Sequence, residues 1–489
     1  MARVMLIQPW NFHDEGVADH DLSRQWRNGP YSLLLLATQL RRHGHEVELV
    51  DMIRDLVVLK GDLSACLGQF AQRIEKFAPD ILGFGFFSIH YFEVKRAVQT
   101  AREACARRGL KPLFIAGGIH ASTEPVATIR ELGFDLAFKG EADLGLVALA
   151  DGQAPATIAG VVGPDGDASA SGEEIAELDD LPFPDWSMCD HRFYAHPTLA
   201  RMQIQATSSL DMIMSRGCVY KCAFCAYNAL SAFRYYSAEY LVEQVAYMHG
   251  RFDVPGIYFT DSTIGNNRRV VTAFCEKMIS RGLHEKVQWL ANIRPNQVNE
   301  KVLRLMWRAG CRYLFYGFES GSQRMLDRMA KSISLEANYK AAELHNRLQF
   351  PYNASMLLGY PGETEQDIRL TMDFLLKTRP PSIGVNWYVP LPGSPDYDKL
   401  KREGVIDTDD PQEWRRIGEV NKCRVYADVP EKKFRELFAQ TEQIAYHQIP
   451  RMTMGAWGCT APPQSEATDA PDGARAHATY GHAGHDEAA

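Results

Sequence analysis

Three cysteines crowded into one short stretch constrain this chain more than any other feature. Ser215-Arg-Gly-Cys-Val-Tyr-Lys-Cys-Ala-Phe-Cys-Ala-Tyr-Asn228 spaces Cys218, Cys222 and Cys225 as C-x3-C-x2-C, just after the mostly apolar run Leu210 to Met214. Soft thiolates suit iron–sulfur chemistry, and three of them can hold three irons of a 4Fe–4S cluster. No fourth cysteine follows nearby, the next being Cys275, so one iron keeps an open position. Ferredoxin-type electron carriers close that position with a fourth thiolate, and an open one points to chemistry. The competing readings are a zinc site completed by Cys189, His191 or His196, and buried cysteines with no ligand.

The remainder reads as two β/α series flanking a connector. Over residues 1–150 the sequence predicts strands at Val4–Gln8, Glu46–Asp51, Ile81–Phe87, Leu113–Ala116 and Leu136–Lys139. Helices are expected between them at Tyr31–His43, Leu63–Phe77, Phe92–Arg108 and Glu124–Leu132. That alternation implies a parallel, doubly wound, Rossmann-like α/β sheet, whose ligands sit beyond the carboxyl ends of the strands. The candidate contacts are Pro9, Trp10, Asn11, Gly85, Ser88, Gly117, Gly118, His120, Gly140 and Glu141. Each such glycine alone is equally well explained by a tight turn.

Residues 151–199 have linker character, with Gly166-Asp-Ala-Ser-Ala-Ser-Gly172 and the proline-locked Leu181-Pro-Phe-Pro-Asp-Trp186. Residues 200–398 hold the second series. Its strands are expected at Leu210–Ser215, Gly256–Thr260, Val287–Asn292, Tyr313–Phe318, Tyr352–Leu358 and Ile383–Tyr388, with helices such as Ala238–His249, Arg268–Arg281, Asn299–Ala309 and Glu363–Thr378 between them. Six β/α units suggest a partial TIM-like (β/α)6 barrel, in which chemistry collects at the C-terminal ends of strands. The cysteine loop sits at such an end. Residues 399–454 form a helical segment with Trp414, Phe434, Leu437, Phe438 and Tyr446 as the expected buried stripe. The Ala-, Gly- and Asp-rich tail 455–489 lacks the apolar surface to fold alone.

A chain of 489 residues fits two or three domains. A net charge of −8 argues against nucleic acid as an obligatory partner, since such binding needs clustered Lys and Arg. The start of the chain has no secretory pattern, and the longest apolar block, Leu33 to Ala37, is too short to span a membrane. Apart from the trio, the cysteines are scattered, which is not a disulfide framework. The expected location is the reducing cytoplasm.

The cysteine loop, with the aromatic Phe224 before its third cysteine, resembles that of the radical SAM superfamily. The Pro-Tyr-Ser-Leu-Leu helix start, the Gly117-Gly-Ile-His120 turn and Lys139-Gly-Glu141 resemble the cobalamin-binding domain fused to many of those enzymes. The resemblance implies that Cys218, Cys222 and Cys225 hold a 4Fe–4S cluster. It also implies that Phe224, Asp261, Arg294 and Glu319 surround S-adenosylmethionine, with Arg294 on the methionine carboxylate and Glu319 on the ribose or amino group. Methionine-synthase-like modules carry D-x-H-x-x-G after the first strand. Here Asn11-Phe-His13-Asp-Glu-Gly16 has Asn at the position that would orient the imidazole.

Enzymes of this kind are mostly methyltransferases acting on unactivated carbon or phosphorus of small molecules. They draw electrons from an external one-electron reductant such as flavodoxin or ferredoxin. Some relatives instead perform cyclisation, ring contraction or oxygenation. An RNA methylthiotransferase would carry a further cysteine trio early in the chain, where only Cys66 and Cys105 stand. A non-catalytic iron–sulfur or zinc module leaves the polar strand ends unexplained.

Overall fold

The structure is a computed structural model that describes residues 1–10, 29–166, 171–194, 209–229, 231–407, 410–418 and 423–445. Asn11, His13, Tyr446 and the tail 455–489 lie outside the described residues.

The first domain is built on β1 (Arg3–Gln8), β2 (Glu46–Asp51), β3 (Ile81–Gly85), β4 (Leu113–Gly117), β5 (Leu136–Phe138) and β6 (Val161–Val162), in the order β2-β1-β3-β4-β5-β6. All neighbours are parallel except β6, which runs antiparallel to β5. The strands are near-continuous apolar runs because helices cover both faces of the sheet. Those helices are α1 (Tyr31–Arg42), α2 (Met52–Val58), α3 (Leu63–Phe77), α4 (Tyr91–Arg108), α5 (Ile119–Thr123), α6 (Pro125–Leu132) and α7 (Asp143–Ala150).

Three of these helices, α2, α5 and α7, have no counterpart among those expected from the sequence. α2 follows β2 with no loop, because Asp51 ends the strand and its side chain caps Arg54 N–H at 3.1 Å. α7 is apolar almost all round, so it shows no helical period. Its Gly145 lies so close to Phe138 that a Cβ would come within 2.8 Å of that ring.

The second sheet orders its strands β14-β13-β12-β11-β10-β7, all parallel. They are β7 (Leu210–Met212), β10 (Gly256–Phe259), β11 (Gln288–Ile293), β12 (Cys311–Glu319), β13 (Tyr352–Leu358) and β14 (Ser382–Trp387). A short ribbon, β8 (Ser215–Arg216) against β9 (Arg234–Tyr235), bounds the cysteine loop. Crossovers run through α8 (Ala238–Phe252), α9 (Arg268–Ser280), α10 (Glu300–Arg308), α11 (Gln323–Arg328), α12 (Leu335–Leu348) and α13 (Glu365–Thr378), giving a six-stranded partial barrel.

The connector is packed between the domains. Trp186 is fully buried, Tyr194 OH donates to Asp51 at 2.6 Å, and Gly29 N–H donates to Asp211 at 2.7 Å. Burial pushes the Asp211 carboxyl up to about 7.

The C-terminal segment does not form the single stripe expected from sequence. α14 (Pro395–Arg402) and α15 (Pro411–Gly418) send Tyr397, Leu400, Trp414 and Ile417 into the core of the first domain. α16 (Glu431–Gln443) buries Phe434 and Leu437 against the barrel, where Trp387 meets Phe434 and Phe438.

Candidate functional site

The cysteine loop leaves β7 at the C-terminal edge of the barrel and is fixed at its base by Asp261, just beyond β10. One carboxylate oxygen accepts from Met214 N–H at 2.8 Å and the other from Ser215 Oγ at 2.6 Å, while the Asp261 carbonyl accepts from Asn292 at 2.8 Å. Burial pushes this carboxyl up to about 6. Asp261 thus spends its side chain on positioning the loop.

Within the loop Cys222 is buried, and Cys218 and Cys225 are half-buried. Burial raises the Cys225 thiol, and the neighbouring Cys222 and Cys218 add to that. No three His, Cys, Asp or Glu side chains among the described residues are grouped to hold a metal ion. A cubane asks something different, because each thiolate binds its own iron.

Cationic groups stand beside the trio. Arg294 Nη1 lies 3.7 Å from Cys222 Sγ, and its guanidinium covers the Tyr220 ring at 3.6 Å. Its other terminal nitrogen donates to the Lys331 carbonyl, and Nε has no partner among the described residues. Lys331 Nζ lies 5.6 Å from the Phe224 ring centre and pairs with Glu319 at 2.5 Å, both side chains being about nine-tenths buried. A cluster held by three thiolates is anionic, so two cations here fit it.

Phe224 packs against Met325, Met329, Tyr360 and Tyr388. Ala223 is held on both sides, by its N–H to Met329 O at 2.9 Å and its carbonyl to Asp396 N–H at 3.0 Å. Glu319 sits at φ +64°, where the β12–β13 register shifts. Strain of this kind in a non-glycine residue collects at functional sites.

Below this rim the register sets Gly317, Ser355 and Gly384 side by side, with Phe315, Asn353 and Ser382 one row beneath. Their alternates Leu314, Tyr316, Ala354, Met356 and Ile383 face the helices, so these rows face the barrel interior. A Cβ on Gly384 would meet only Asn386 Nδ2 at 3.7 Å and Asn353 Oδ1 at 3.9 Å. Neither row carries a charged side chain, and both amide nitrogens bond to the wall, to Ser382 at 3.0 Å and Ser355 at 2.8 Å.

Glu363, after β13, is fully buried. One oxygen accepts from Gly359 N–H at 2.6 Å, and the other has no partner among the described residues. Burial raises its pKa from 4.5 to about 8. The fold therefore keeps a proton that the unfolded chain has lost. The resulting stabilisation is full below about pH 4.5 and disappears as pH rises to about 8. Glu363→Gln cannot ionise, so its unfolding midpoint should gain on wild type between about pH 5 and pH 9. A difference that stays constant with pH would show that burial does not govern this carboxyl.

In the first domain, Gly85 and Gly117 are register partners at the ends of β3 and β4. Gly118 has φ +93°, and a Cβ there would lie 2.6 Å from Phe86 O, so only glycine lets these backbones meet. Neither Gly117 nor Gly118 carries a side chain, so the backbone itself forms this part of the edge, where a broad planar ligand can come close. His120 is fully buried, with Nδ1 3.0 Å from Ser88 Oγ and Nε2 unpartnered among the described residues. Burial lowers its pKa to about 4. Pro9 and Trp10 are buried at the end of β1.

Gly140 N–H donates to Ser122 at 3.0 Å. Glu141, by contrast, is committed across the domain boundary, pairing with Arg234 and with Arg216 at 2.9 Å. Asp143 also takes Arg216, at 2.8 and 3.0 Å. α5 lies against the turn Ala226–Ala229 directly after Cys225, so the glycine edge and the cysteine loop adjoin.

The sequence reading missed Lys331, Tyr220, Arg216 and, as a part of this edge, Trp414. Arg216 and Tyr220 belong to the cysteine stretch, Tyr220 standing between its first two cysteines, whereas nothing local marks Lys331 or ties Trp414 to this edge.

Residues 212–375 match the radical SAM superfamily model, and residues 27–150 match that of the B12 binding domain. An uncharacterized methyltransferase of Pyrococcus horikoshii is 23% identical over 405 residues, covering 81% of this chain and 83% of that protein. The anaerobic magnesium-protoporphyrin IX monomethyl ester cyclase of Cereibacter sphaeroides is 24% identical, covering 82% of this chain and 64% of the cyclase. Among solved structures, the radical S-adenosylmethionine methyltransferase TsrM of Kitasatospora setae superposes with a TM-score of 0.65 at 18% identity, over 82% of this chain and 76% of that one. The cobalamin-dependent S-adenosylmethionine radical enzyme OxsB gives 0.61 at 19%, over 83% and 56%. At these identities the structural likeness is one of fold.

Proposed function

Since this chain belongs to the radical SAM enzymes that carry a B12-binding domain, we propose that it transfers a methyl group to an unactivated carbon, or to phosphorus, of a small molecule. The observation that carries this reading is the adjacency of the two edges, with α5 of the first sheet against the turn that follows Cys225. When bound, the cluster supplies an electron to cleave the sulfonium of S-adenosylmethionine, and cobalamin supplies a methyl carrier.

The chain's own residues do the rest. Cys218, Cys222 and Cys225 hold the cluster, and Arg294 and Lys331 offset its charge. Glu319 and Arg294 would bind the amino acid end of S-adenosylmethionine, and Phe224 would help to exclude water from it. Dry surroundings matter because a carbon radical is quenched by stray partners. Gly85, Ser88, Gly117, Gly118 and His120 form the corrinoid edge. The electron comes from an external one-electron reductant such as flavodoxin or ferredoxin. The uncharged rows beside Gly384 suit a small neutral substrate. No helix among the described residues is long and apolar enough to cross a membrane.

The test is anaerobic reconstitution with hydroxocobalamin, a reductant and methyl-labelled S-adenosylmethionine, supplied with a small-molecule extract. Label in a small-molecule product, with 5′-deoxyadenosine and S-adenosylhomocysteine, supports methyl transfer. 5′-Deoxyadenosine without labelled product favours the non-methylating reading, for which the cyclase likeness over 82% of this chain speaks. Gly384→Val should fill the open row. It should abolish stimulation of S-adenosylmethionine cleavage by the extract while leaving the slow cleavage without extract unchanged. Stimulation that survives would move the substrate elsewhere.

A further inference from the structure

The loops after β3 and β4 are covered by a part of the chain that comes from far along the sequence. α15 packs on the turn Ser88–His90, and Lys401 of α14 reaches Glu124 at 3.3 Å. Trp414 lies parallel to Tyr91, with ring centres 5.1 Å apart at 12°, and edge-on to His120 at 5.0 Å and 83°. Its neighbour Glu413 is buried and held by Arg416 and by Arg424, the latter at 3.0 Å, so the helix is anchored. Ligands of doubly wound sheets bind at this carboxyl edge. α15 therefore stands where one wall of such a site belongs.

Two buried nitrogens at this contact have no hydrogen-bond partner among the described residues: His120 Nε2 and Trp414 Nε1. Buried polar groups are almost always paired, and an unpaired one costs about 1–3 kcal/mol. Two of them on touching rings mark a place built for a polar group that the described residues do not supply.

We propose that α15 is a wall of the corrinoid site, and that Trp414 Nε1–H and His120 Nε2–H together donate to an acceptor oxygen on the periphery of the corrinoid. Ser88 Oγ lies 3.0 Å from His120 Nδ1 and can donate to it, an arrangement compatible with the tautomer that carries its proton on Nε2. A corrinoid edge reaching the seam where α15 meets these loops would give both nitrogens their acceptor. Trp414 is then a cofactor-binding residue contributed by the C-terminal segment. The inference rests on the B12-binding assignment and not on the outcome of the reaction.

The test uses the full chain, anaerobically reconstituted with iron and sulfide and dialysed against hydroxocobalamin. W414A removes ring and donor, while W414F keeps the stacking and removes only the N–H. The expected result is a dissociation constant raised about tenfold in W414A and by a smaller factor in W414F, with iron content at the wild-type level in both. Unchanged hydroxocobalamin affinity in W414A overturns the proposal, as does parallel loss of iron and corrinoid in both variants. Should W414A fail to fold, W414F decides alone, and wild-type affinity there sinks the donor role. Corrinoid binding that weakens as expected, in an enzyme that makes no methylated product, would retire the methyl-transfer reading and leave this one standing.

Discussion

Alanine in place of any one of Cys218, Cys222 or Cys225 is expected to lower turnover at least about a thousandfold, with the iron content and the visible iron–sulfur spectrum lost in step. On the proposed cluster each thiolate would hold a different iron, so no remaining thiolate would substitute for the missing one. Arg294, 3.7 Å from Cys222 Sγ, is a cation and cannot ligate. The first domain should meanwhile keep its affinity for hydroxocobalamin, because its core is separate from the loop. Variants that turn over normally, or a purified protein that holds zinc and no iron, would remove the basis of the whole assignment.

Lys331→Met comes next in expected size. Glu319 is buried against Lys331 at 2.5 Å, and removing one partner leaves an uncompensated charge in the interior. Breaking such a pair costs about 3–5 kcal/mol, whereas replacing both partners is far milder. The single variant should therefore lose that much stability in anaerobic denaturant unfolding, and the double variant Lys331→Met with Glu319→Gln should recover most of it. The Arg294 bond to the Lys331 carbonyl survives either change, because it uses the backbone. A double variant as unstable as the single one would mean that the loop geometry, and not charge pairing, sets the cost. Affinity for S-adenosylmethionine separates the roles further. If Glu319 meets the cofactor, the double variant binds it weakly even though it is stable.

Much of the architecture was legible because the signals are local. Glu46–Asp51, Leu63–Phe77 and Tyr352–Leu358 were read with their observed limits. The helix Leu63–Phe77, for instance, begins where Asp62 caps Ala65 N–H and ends at Ala78 in the left-handed region. The cysteine trio was legible for the same reason, since its spacing lies within one loop. The unread parts depend on distant partners. Lys331 acquires its meaning only when a turn after α11 folds back onto β12. Trp414 looks in sequence like a companion of Phe434, because two aromatics on neighbouring helical stretches give the same periodic signal. The fold sends them to different domains. Glu141 was read as a contact beyond the end of β5, and only the arrival of Arg216 and Arg234 shows where its charge is spent.

That meeting of Arg216 and Arg234 with Glu141 and Asp143 limits how this protein can be rebuilt. All four side chains are at most 14% exposed. The arginines belong to the ribbon framing the cysteine loop, and the acids to the end of the first domain. A chimera that took its first domain from another protein without matching acids would strand two guanidinium groups in the join. The two modules are therefore heritable as a pair, and shuffling them requires carrying both halves of the charge lock at once.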